Sequence, residues 1–331
     1  MKESEIRPKP LFDEYLALCR RDIERFYGDH RGFAPVNCPA CDSSAVGADG
    51  FTKLGFRYEV CARCGTLYVS PRPTPAMQET FARQSEATVY WGTHFYRETA
   101  EARREKIFRP RAALIADLVR TGVVPRTGVF ADVGAGYGIF LEEIAALRLF
   151  QDVVGIEPAP QLANVCRDKG FRVVEKMMEE VEGVLSSDLL TAFEVLEHVF
   201  DPATFLGSCA AALSEEGVLL FTTLTIDGFD LQVLWNESKS IYPPQHINLI
   251  SVAGLQALVN RSGLEIISIT TPGQLDIDIV ANAVLDNPSL PLPRFVARLL
   301  SRDIEVRAAF QSFLQRANLS SHVRVLARRK A

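Results

Sequence analysis

Apolar residues near the start of the chain recur at steps of three and four. They are Phe12, Leu16, Cys19, Ile23 and Phe26. Because an α-helix completes a turn about every 3.6 residues, this spacing places all of them on one helical face. We therefore predict an amphipathic helix over residues 10–27, with Cys19 as a buried thiol.

Two different patterns follow this helix. Residues 32–75 form short, turn-rich segments that contain four cysteines, and helical periodicity returns over 76–120. Tyr90-Trp91 and Pro110 interrupt that periodicity, and a proline inside a helix removes one backbone donor. We expect two helices with a bend in this second region.

Beyond Pro125, short apolar runs alternate with helical stretches. This alternation indicates βαβ units around a parallel sheet. The apolar runs predict strands at 128–133, 152–156, 171–174, 188–193, 217–223, 264–271 and 322–328. The other stretches predict helices at 138–149, 159–169, 201–213 and 251–262. The predicted fold class is α/β, with a seven-stranded, doubly wound, Rossmann-like sheet whose last strand is antiparallel.

Two segments of this region are longer than a connection requires. They are insertions at 224–250 and 272–320, and such segments are often lids or substrate walls. We expect the chain to comprise an N-terminal helix over 1–33, a small cysteine-rich unit over 34–73, a helical linker over 74–126 and a sheet domain over 127–331.

Composition indicates a globular protein with a sizeable core. The 331 residues are 47% hydrophobic, and the formal net charge is −5. Residues 1–126 carry 20 Lys and Arg against 16 Asp and Glu, whereas residues 127–331 carry 16 against 25. The acidic balance does not favour a nucleic-acid partner. No apolar run suits a signal peptide or a membrane span, so we expect a cytoplasmic protein with a small-molecule substrate and no membrane partner.

The four cysteines of the turn-rich region form two close pairs. Cys38 pairs with Cys41 and Cys61 with Cys64, with two residues inside each pair and nineteen between the pairs. This spacing is typical of a four-thiolate zinc site, and Gly65 supplies the permissive backbone that the second turn needs. Four thiolates close the tetrahedral shell and leave no position for water or substrate. We therefore predict a zinc ribbon with a structural ion.

A glycine-rich turn follows the first predicted strand of the sheet. This strand contains Asp132 and runs into Gly134, Gly136 and Gly138. Glycine lets the backbone pass close beneath a ligand, where a side chain would collide. Glu157, at the end of the second strand, is placed to accept hydrogen bonds from both ribose hydroxyls of a nucleoside.

The spacing of the glycines separates two classes of nucleoside cofactor. Nicotinamide enzymes use G-x-G-x-x-G, and the position of their third glycine is Ile139 in this chain. Asp132 beside the turn suits the cationic part of S-adenosylmethionine and would repel a pyrophosphate. We therefore predict S-adenosylmethionine as the cofactor.

These motifs resemble those of class I S-adenosylmethionine-dependent methyltransferases. The resemblance rests on Asp132-Val-Gly-Ala-Gly-Tyr-Gly138, on Glu157 and on Phe193-Glu-Val-Leu-Glu-His-Val-Phe-Asp-Pro202, and it covers residues 127–331. The cysteine ribbon followed by Tyr90-Trp91 further resembles bacterial sugar methyltransferases with an N-terminal zinc-binding module. The resemblance implies adenine stacking at Met178 or its neighbour Met177. It also implies cofactor contacts from Asp132, Gly134, Ala135, Gly136, Tyr137, Gly138, Glu157, Pro158, Phe193 and Glu194.

Methyl transfer to a hydroxyl, or to a carbon next to a ketone, requires the nucleophile to lose a proton. His246 lies in a loop at the carboxyl end of the sheet, where substrates bind, and is our first candidate for the general base. Gln245 replaces the acid of the resembled sugar methyltransferases and can hold a substrate hydroxyl. His198 is the second candidate, and Tyr90 belongs to an aromatic cluster that can close over the site. For His246, the alternative is a loop imidazole that only caps backbone groups. For the aromatic cluster, the alternative is a packing seam between the linker helices and the core.

The densest basic run of the chain contains Arg103, Arg104, Lys106, Arg109 and Arg111. A solvated surface explains most of these charges, whereas a phosphate-bearing acceptor would use two or three of them near the cleft. The favoured hypothesis is C- or O-methylation of a sugar or nucleotide-activated sugar, in polysaccharide or secondary-metabolite biosynthesis. The alternatives are a zinc-ribbon RNA methyltransferase and a non-catalytic binding protein of the same fold.

Overall fold

The computed structural model describes residues 2–330, with the side chain of Ala82 left aside. It begins with the short helix α1 (Glu3–Ile6) and the long helix α2 (Lys9–Tyr27). The predicted amphipathic helix is confirmed, because Leu16, Cys19 and Ile23 are buried on one face of α2. Cys19 is fully buried, as expected.

A small antiparallel sheet follows. Its strands are β1 (Phe51–Lys53), β2 (Phe56–Val60) and β3 (Leu67–Val69), together with a distant fourth strand, β9 (Asn248–Leu249). β3 pairs with β9 through Leu67 opposite Leu249 and Tyr68 opposite Asn248. The cysteine-rich unit and the 224–250 insertion therefore share one sheet.

The helical linker differs in detail from the prediction. It contains α3 (Pro75–Gln84), α4 (Glu86–Tyr90), α5 (Tyr96–Arg103) and α6 (Arg109–Arg120), with π-helical turns at Trp91–Phe95 and Arg104–Phe108. The bend lies at Ser85, whose backbone is extended, and not at Tyr90-Trp91 or Pro110. The π-helical turn just before α6 widens the helix, so Pro110 is accommodated near the start of α6 without a break.

The larger sheet confirms the predicted fold class. Its strand order is β10-β11-β8-β7-β4-β5-β6, and β11 is antiparallel to both of its neighbours. These strands are β4 (Val129–Val133), β5 (Asp152–Ile156), β6 (Arg172–Val174), β7 (Ser187–Phe193), β8 (Leu213–Leu224), β10 (Leu264–Thr270) and β11 (His322–Arg329). The helices packed on the sheet are α7 (Ile139–Leu147), α8 (Pro160–Asp168), α9 (Pro202–Ala211) and α11 (Val252–Arg261). All seven predicted strands and all four predicted helices are present, and β8 begins four residues earlier than expected.

Both faces of the large sheet are buried. Adjacent residues of β7 pack on opposite faces of the sheet. Leu189 belongs to the same hydrophobic cluster as Phe130, and Leu190 belongs to the other cluster, with Ala131. Helices cover both faces, as is usual for a sheet built from parallel strands. Within residues 2–330, no helix is both long enough and apolar enough to cross a membrane.

The two insertions are structured, and the N-terminus is attached to one of them. The first insertion contains α10 (Phe229–Leu234) besides β9, and the second contains α12 (Asp276–Asp286), α13 (Arg294–Leu300) and α14 (Ile304–Arg316). The backbone N–H of Glu3 donates to Asp278 of α12 at 2.6 Å, and Lys106 forms an ion pair with Glu5 at 3.1 Å. These contacts fix α1 between the linker and the second insertion.

Candidate active site

The glycine-rich turn between β4 and α7 depends on its glycines. Gly134, Gly136 and Gly138 have φ values of 74°, 54° and 69°, in the left-handed region that other residues avoid. A Cβ atom on Gly138 would lie 3.0 Å from the Sγ of Cys166 in α8. The turn therefore combines an unusual backbone with a close approach from a neighbouring helix.

Two buried acids flank this turn. Glu157 is 5% exposed, and its carboxylate accepts hydrogen bonds from the N–H groups of Gly136 and Ala159, both at 2.9 Å. Two such bonds leave lone pairs free for ribose hydroxyls. Asp132 accepts a hydrogen bond from the Thr191 hydroxyl at 2.6 Å, and burial raises the pKa of Asp132 to about 7. A cationic ligand beside Asp132 would favour its charged form.

The linker lies over the same turn. The hydroxyl of Tyr137 donates to the Thr93 carbonyl at 3.4 Å, and the ring of Tyr137 is stacked with that of Tyr96 at 5.9 Å. Ala135 in the turn is buried, whereas Pro158, directly after Glu157, is exposed. The linker therefore covers the predicted cofactor position.

Met178 and Phe193, both predicted to contact the cofactor, lie in different surroundings. Met178 is 2% exposed and packs in the core, whereas Met177 is 51% exposed. Of the two methionines, Met177 presents more surface to a ligand at this edge. Phe193 packs edge-on against Phe140, and the guanidinium of Arg111 lies 4.2 Å from the centre of its ring.

His198 and His246 lie together at the carboxyl edge of the sheet, with ring centres 4.9 Å apart. The Nδ1 of His246 lies 2.6 Å from the Ser240 carbonyl oxygen, and the Nδ1 of His198 lies 2.7 Å from the Gln245 carbonyl oxygen. Because a carbonyl oxygen only accepts, each Nδ1 carries the proton and each Nε2 keeps its lone pair. Both imidazoles are therefore oriented as proton acceptors.

The surroundings of both histidines disfavour the protonated ring. For His246, burial and the neighbouring His198 lower the pKa to about 3, and for His198, which keeps an exposed edge, partial desolvation lowers the pKa as well. Both rings are therefore neutral at neutral pH, and each is a weaker proton acceptor than a free imidazole until a bound acceptor favours its protonated form. Glu197 fixes the position of the His246 loop, because its carbonyl accepts from the backbone N–H of Ile247 at 3.0 Å.

Glu194 is the charged centre of this edge. Its φ of 56° is rare for a residue with a side chain. Its carboxylate accepts a hydrogen bond from Thr222 at 2.5 Å and lies 3.3 Å from both Arg111 and His322. Burial raises the pKa of Glu194, but His322 and Arg111 outweigh that effect and lower the pKa to about 2. The carboxylate is therefore ionised at neutral pH.

His322 was not among the predicted site residues, although the sequence contains a signal for it. It is the first residue of β11, and an antiparallel strand begins at the edge where its parallel neighbours end. Its Nδ1 is buried and has no hydrogen-bond partner among the described residues. Burial lowers the pKa of His322, while Glu194 acts in the opposite direction.

Two other predicted residues face different surroundings. The side-chain amide of Gln245 donates to Cys19 of α2 at 3.5 Å, and its oxygen is buried without a partner among the described residues. The acceptor atom of Gln245 is thus unused by the described residues and covered from solvent. Tyr90 lies 5.2 Å from His94 and packs beside α2, because Ala87 and Trp91 occupy the inner face of the helical segment. The structure does not bring Tyr90 to the histidine pair.

The four predicted metal ligands converge. All four sulfur atoms lie within 4.8 Å of one another, with Cys38 and Cys64 at 3.6 Å and Cys41 and Cys61 at 3.5 Å. Tetrahedral bonds of about 2.3 Å to zinc place sulfur atoms about 3.8 Å apart, so the cluster fits this ion. Asp42 and Gly65, each directly after a cysteine pair, adopt positive φ and turn the chain around the cluster.

Comparison with known proteins identifies the fold family. Residues 100–269, half of the chain, match a family model described as a methyltransferase domain. The chain is 34% identical over 151 residues to the ubiquinone biosynthesis O-methyltransferase of Xanthomonas euvesicatoria pv. vesicatoria, covering 41% of this chain and 62% of that protein. A protein of the same name from Rhodopseudomonas palustris is 34% identical over 99 residues, covering 28% of this chain and 38% of that protein. The chain thus spans less than two thirds of the length of these curated relatives.

Solved structures include similar folds at low identity. An S-adenosylmethionine-dependent methyltransferase from Clostridium acetobutylicum is 9% identical, with a TM-score of 0.47, over 71% of this chain and 99% of that chain. The O-methyltransferase of a trans-AT polyketide synthase multienzyme from Brevibacillus brevis, in complex with S-adenosyl-L-homocysteine, is 16% identical, with a TM-score of 0.48. The match covers 72% of this chain and 78% of that chain.

Proposed function

The chain belongs to the class I S-adenosylmethionine-dependent methyltransferase family, and on this premise we propose that it methylates a small molecule that carries a hydroxyl group or an acidic carbon. The observation that carries this proposal is the arrangement of His246, His198 and Glu194 at the carboxyl edge of the sheet, next to the glycine-rich turn. In an open α/β sheet this edge is where ligands bind. A sugar or nucleotide-activated sugar is the acceptor class that we favour.

The cofactor would be held by the turn and its two acids. Glu157 would accept hydrogen bonds from the ribose hydroxyls, and Asp132 would interact with the cationic amino acid part. The left-handed glycines let the backbone approach the ligand closely. S-adenosylmethionine would supply an activated methyl group with its own leaving group, so the protein needs to position the acceptor and remove its proton.

We propose His246 as the general base and His198 as its neighbour in the acceptor site. In each ring Nδ1 donates to a backbone carbonyl, so Nε2 is the proton-accepting atom. The low pKa of His246 indicates that a bound acceptor must favour the protonated ring, for example by placing an anionic oxygen beside it. Gln245 would hold a second hydroxyl through its free oxygen.

We further propose that Cys38, Cys41, Cys61 and Cys64 hold a structural zinc ion. Their sulfur atoms have the separations that a tetrahedral four-thiolate site requires. All four are free of disulfides. This shell leaves no open position, so the ion would stabilise the small sheet and take no part in methyl transfer.

The relatives favour a second acceptor class. They are named for O-methylation in ubiquinone biosynthesis, so an intermediate of that kind is the second candidate. Methyl transfer from radiolabelled S-adenosylmethionine, measured against a panel of nucleotide sugars and of hydroxylated ubiquinone precursors, distinguishes the two classes. We expect label in the sugar fraction, and label only in the ubiquinone precursors would refute the sugar assignment.

The same assay tests the base. His246→Gln should lower kcat by roughly a hundredfold while leaving the affinity for S-adenosylhomocysteine unchanged, since general bases contribute on that scale. His30→Gln is the matched control, because His30 packs against Phe33 and Phe56. Full activity in the His246 variant would exclude this role.

A further inference from the structure

Arg7, Arg103 and Arg111 bring positive charge from three segments of the chain toward Glu194 and the histidine pair. Arg111 extends from α6 to Glu194, with 3.3 Å between its Nη2 and the carboxylate. The Nη2 of Arg103 donates to the Ile6 carbonyl at 3.4 Å, which places Arg103 next to the residue that precedes Arg7. α1, the linker and the sheet therefore each bring charge to one place.

Arg7 and Arg103 lack acidic partners of the kind that neutralise the rest of the basic run. Arg104 bonds to Glu142 and Glu143, both at 2.6 Å, and Arg109 lies within 4.0 Å of Glu101. By contrast, the structure over residues 2–330 shows no ion pair for Arg7 or Arg103. Arg111 has Glu194, which it shares with His322.

Arg7 and Arg103 have no counterion among the described residues, and Arg103 is buried. The Nε of Arg7 is buried and has no acceptor among the described residues. Arg103 is 8% exposed and bonds only to neutral oxygens, with Nε donating to the Thr99 hydroxyl at 3.1 Å. Its guanidinium also lies 4.9 Å from the ring centre of Tyr96. A buried charge without a counterion is costly, so this cluster lacks an anion.

The charges of these arginines affect the pKa values of one another and of the candidate reacting groups. Burial is the main cause of the lowered pKa of Arg103, and the charges of Arg7 and Arg111 lower it further. Arg7 also contributes to the lowered pKa of both Glu194 and His246. Arg7 therefore lies within electrostatic reach of both the carboxylate and the candidate base.

We propose that Arg7, Arg103 and Arg111 form an anion subsite that takes a dianionic phosphate group of the acceptor, a step that rests on the proposed function. Three guanidinium charges and one carboxylate, Glu194, leave two positive charges. This balance matches either a phosphate monoester or a diphosphate diester. Arg7 and Arg111 contact the phosphate, and Arg103 supplies charge behind them.

The same charge argues against a cation in this cleft. Glu197, His198 and His246 place potential ligand atoms within 4.8 Å of one another, as a metal site would. The positive charge that Arg7, Arg103 and Arg111 bring to this cleft opposes a divalent cation, however, and favours an anion.

Isothermal titration calorimetry of the full chain, saturated with S-adenosylhomocysteine, tests the subsite. The probes are glucose 1-phosphate, UDP-glucose and glucose. We expect a phosphate-bearing probe to bind and glucose not to bind. Tighter binding of UDP-glucose identifies a nucleotide-activated acceptor, and tighter binding of glucose 1-phosphate identifies a sugar phosphate.

Variants of Arg7 and Arg111, with Arg109 of the same helix as Arg111 as the control, make the test specific. Arg111→Gln and Arg7→Gln should each weaken binding of the phosphate-bearing probe by roughly tenfold or more. Arg109→Gln, two residues from Arg111 but paired at the surface, should change it less than about twofold. Arg111→Lys keeps the charge and should retain part of the affinity, which separates loss of the subsite from loss of the fold.

Two results would overturn the subsite. One is that neither phosphate-bearing probe binds more tightly than glucose while S-adenosylhomocysteine still binds. The other is that Arg109→Gln weakens binding as much as Arg111→Gln, which would reduce the effect to general surface charge. If S-adenosylhomocysteine itself fails to bind, it is the proposed function that fails.

Discussion

The hydroxyl of Tyr58 donates a hydrogen bond to the backbone carbonyl of His246 at 2.8 Å. Tyr58 lies in β2 of the cysteine-rich sheet and is fully buried, so this bond connects the predicted zinc unit directly to the candidate general base. The pairing of β3 with β9, which begins two residues after His246, fixes the same loop from a second side. The small sheet therefore acts as a support for the active-site loop.

This relationship predicts that Tyr58→Phe impairs the acceptor site alone. Loss of one buried hydrogen bond, worth about 1 kcal/mol, should lower kcat/KM by roughly fivefold. The affinity for S-adenosylhomocysteine should stay within about twofold. Tyr68→Phe serves as the control, because Tyr68 lies in the same sheet and the described residues show no hydrogen bond from its hydroxyl. An unchanged kcat/KM in Tyr58→Phe would show that this hydrogen bond does not support the active-site loop.

Removal of zinc should lower methyl transfer more than Tyr58→Phe does. Cys41→Ser, or incubation with a chelator, should release one zinc per chain and abolish methyl transfer, because a four-thiolate site stabilises the fold around it. Metal analysis combined with activity follows the loss. Cys209→Ser, at a buried thiol of the large sheet's core, should keep its zinc. Full activity in a zinc-free sample would contradict the supporting role.

Much of this architecture follows from the sequence pattern, because strands and helices are set by local periodicity. The carboxyl-edge positions of His198 and Glu194 follow from β7, which the apolar run at 188–193 predicts. Arg7 is different. It reaches the site because α1 is bound to α12, through a contact between residues 275 positions apart in the chain, and no local pattern encodes that contact.

The same reasoning explains the missed role of β9. Two residues are too few for a recognisable strand, so pairing with β3 depends on the folded positions of the two segments. The π-helical turns of the linker are also invisible in periodicity, because they widen the helix without ending it. The aromatic neighbours of Tyr90 predict a place in the site, but its helical position packs it beside α2 and His94.

A buried carboxyl group gives a pH-dependent prediction for stability. Neither oxygen of Asp230 in α10 has a hydrogen-bond partner among the described residues, and burial, with Asp276 nearby, raises the pKa of Asp230 from 3.8 to about 8. The native state then binds a proton that the unfolded state releases above pH 4. Its contribution therefore becomes more unfavourable as pH rises from about 4 to 8.

Asp230→Asn removes this cost. We expect the variant to gain roughly 1–3 kcal/mol of unfolding free energy at pH 7 and nothing at pH 4, measured by urea denaturation. Asp49→Asn is the comparison, because Asp49 is exposed and its side chain makes no hydrogen bond to the described residues. An equal gain at both pH values would rule out the titration of Asp230 as the cause.

Asp22, unlike Asp230, should stabilise the folded protein, because both of its carboxylate oxygens accept hydrogen bonds. It is 1% exposed and accepts from the Ser85 hydroxyl at 2.6 Å and from the Ala87 N–H at 2.9 Å, which joins α2 to the start of α4. Asp22→Ala leaves these donors buried and unpaired, so we expect a loss of roughly 2–4 kcal/mol in thermal or urea unfolding. Asp13→Ala on the exposed face of α2 should cost less than about 0.5 kcal/mol.

The most direct test of the cofactor assignment is calorimetric titration of the full chain with S-adenosylhomocysteine, in the wild type, Glu157→Ala and Glu175→Ala. Glu175 is the acid that follows β6 and forms an ion pair with Arg167 at 2.7 Å. The account predicts binding by the wild type, a loss of roughly tenfold or more in Glu157→Ala and little change in Glu175→Ala. No binding by the wild type, or equal affinity in Glu157→Ala, would contradict it.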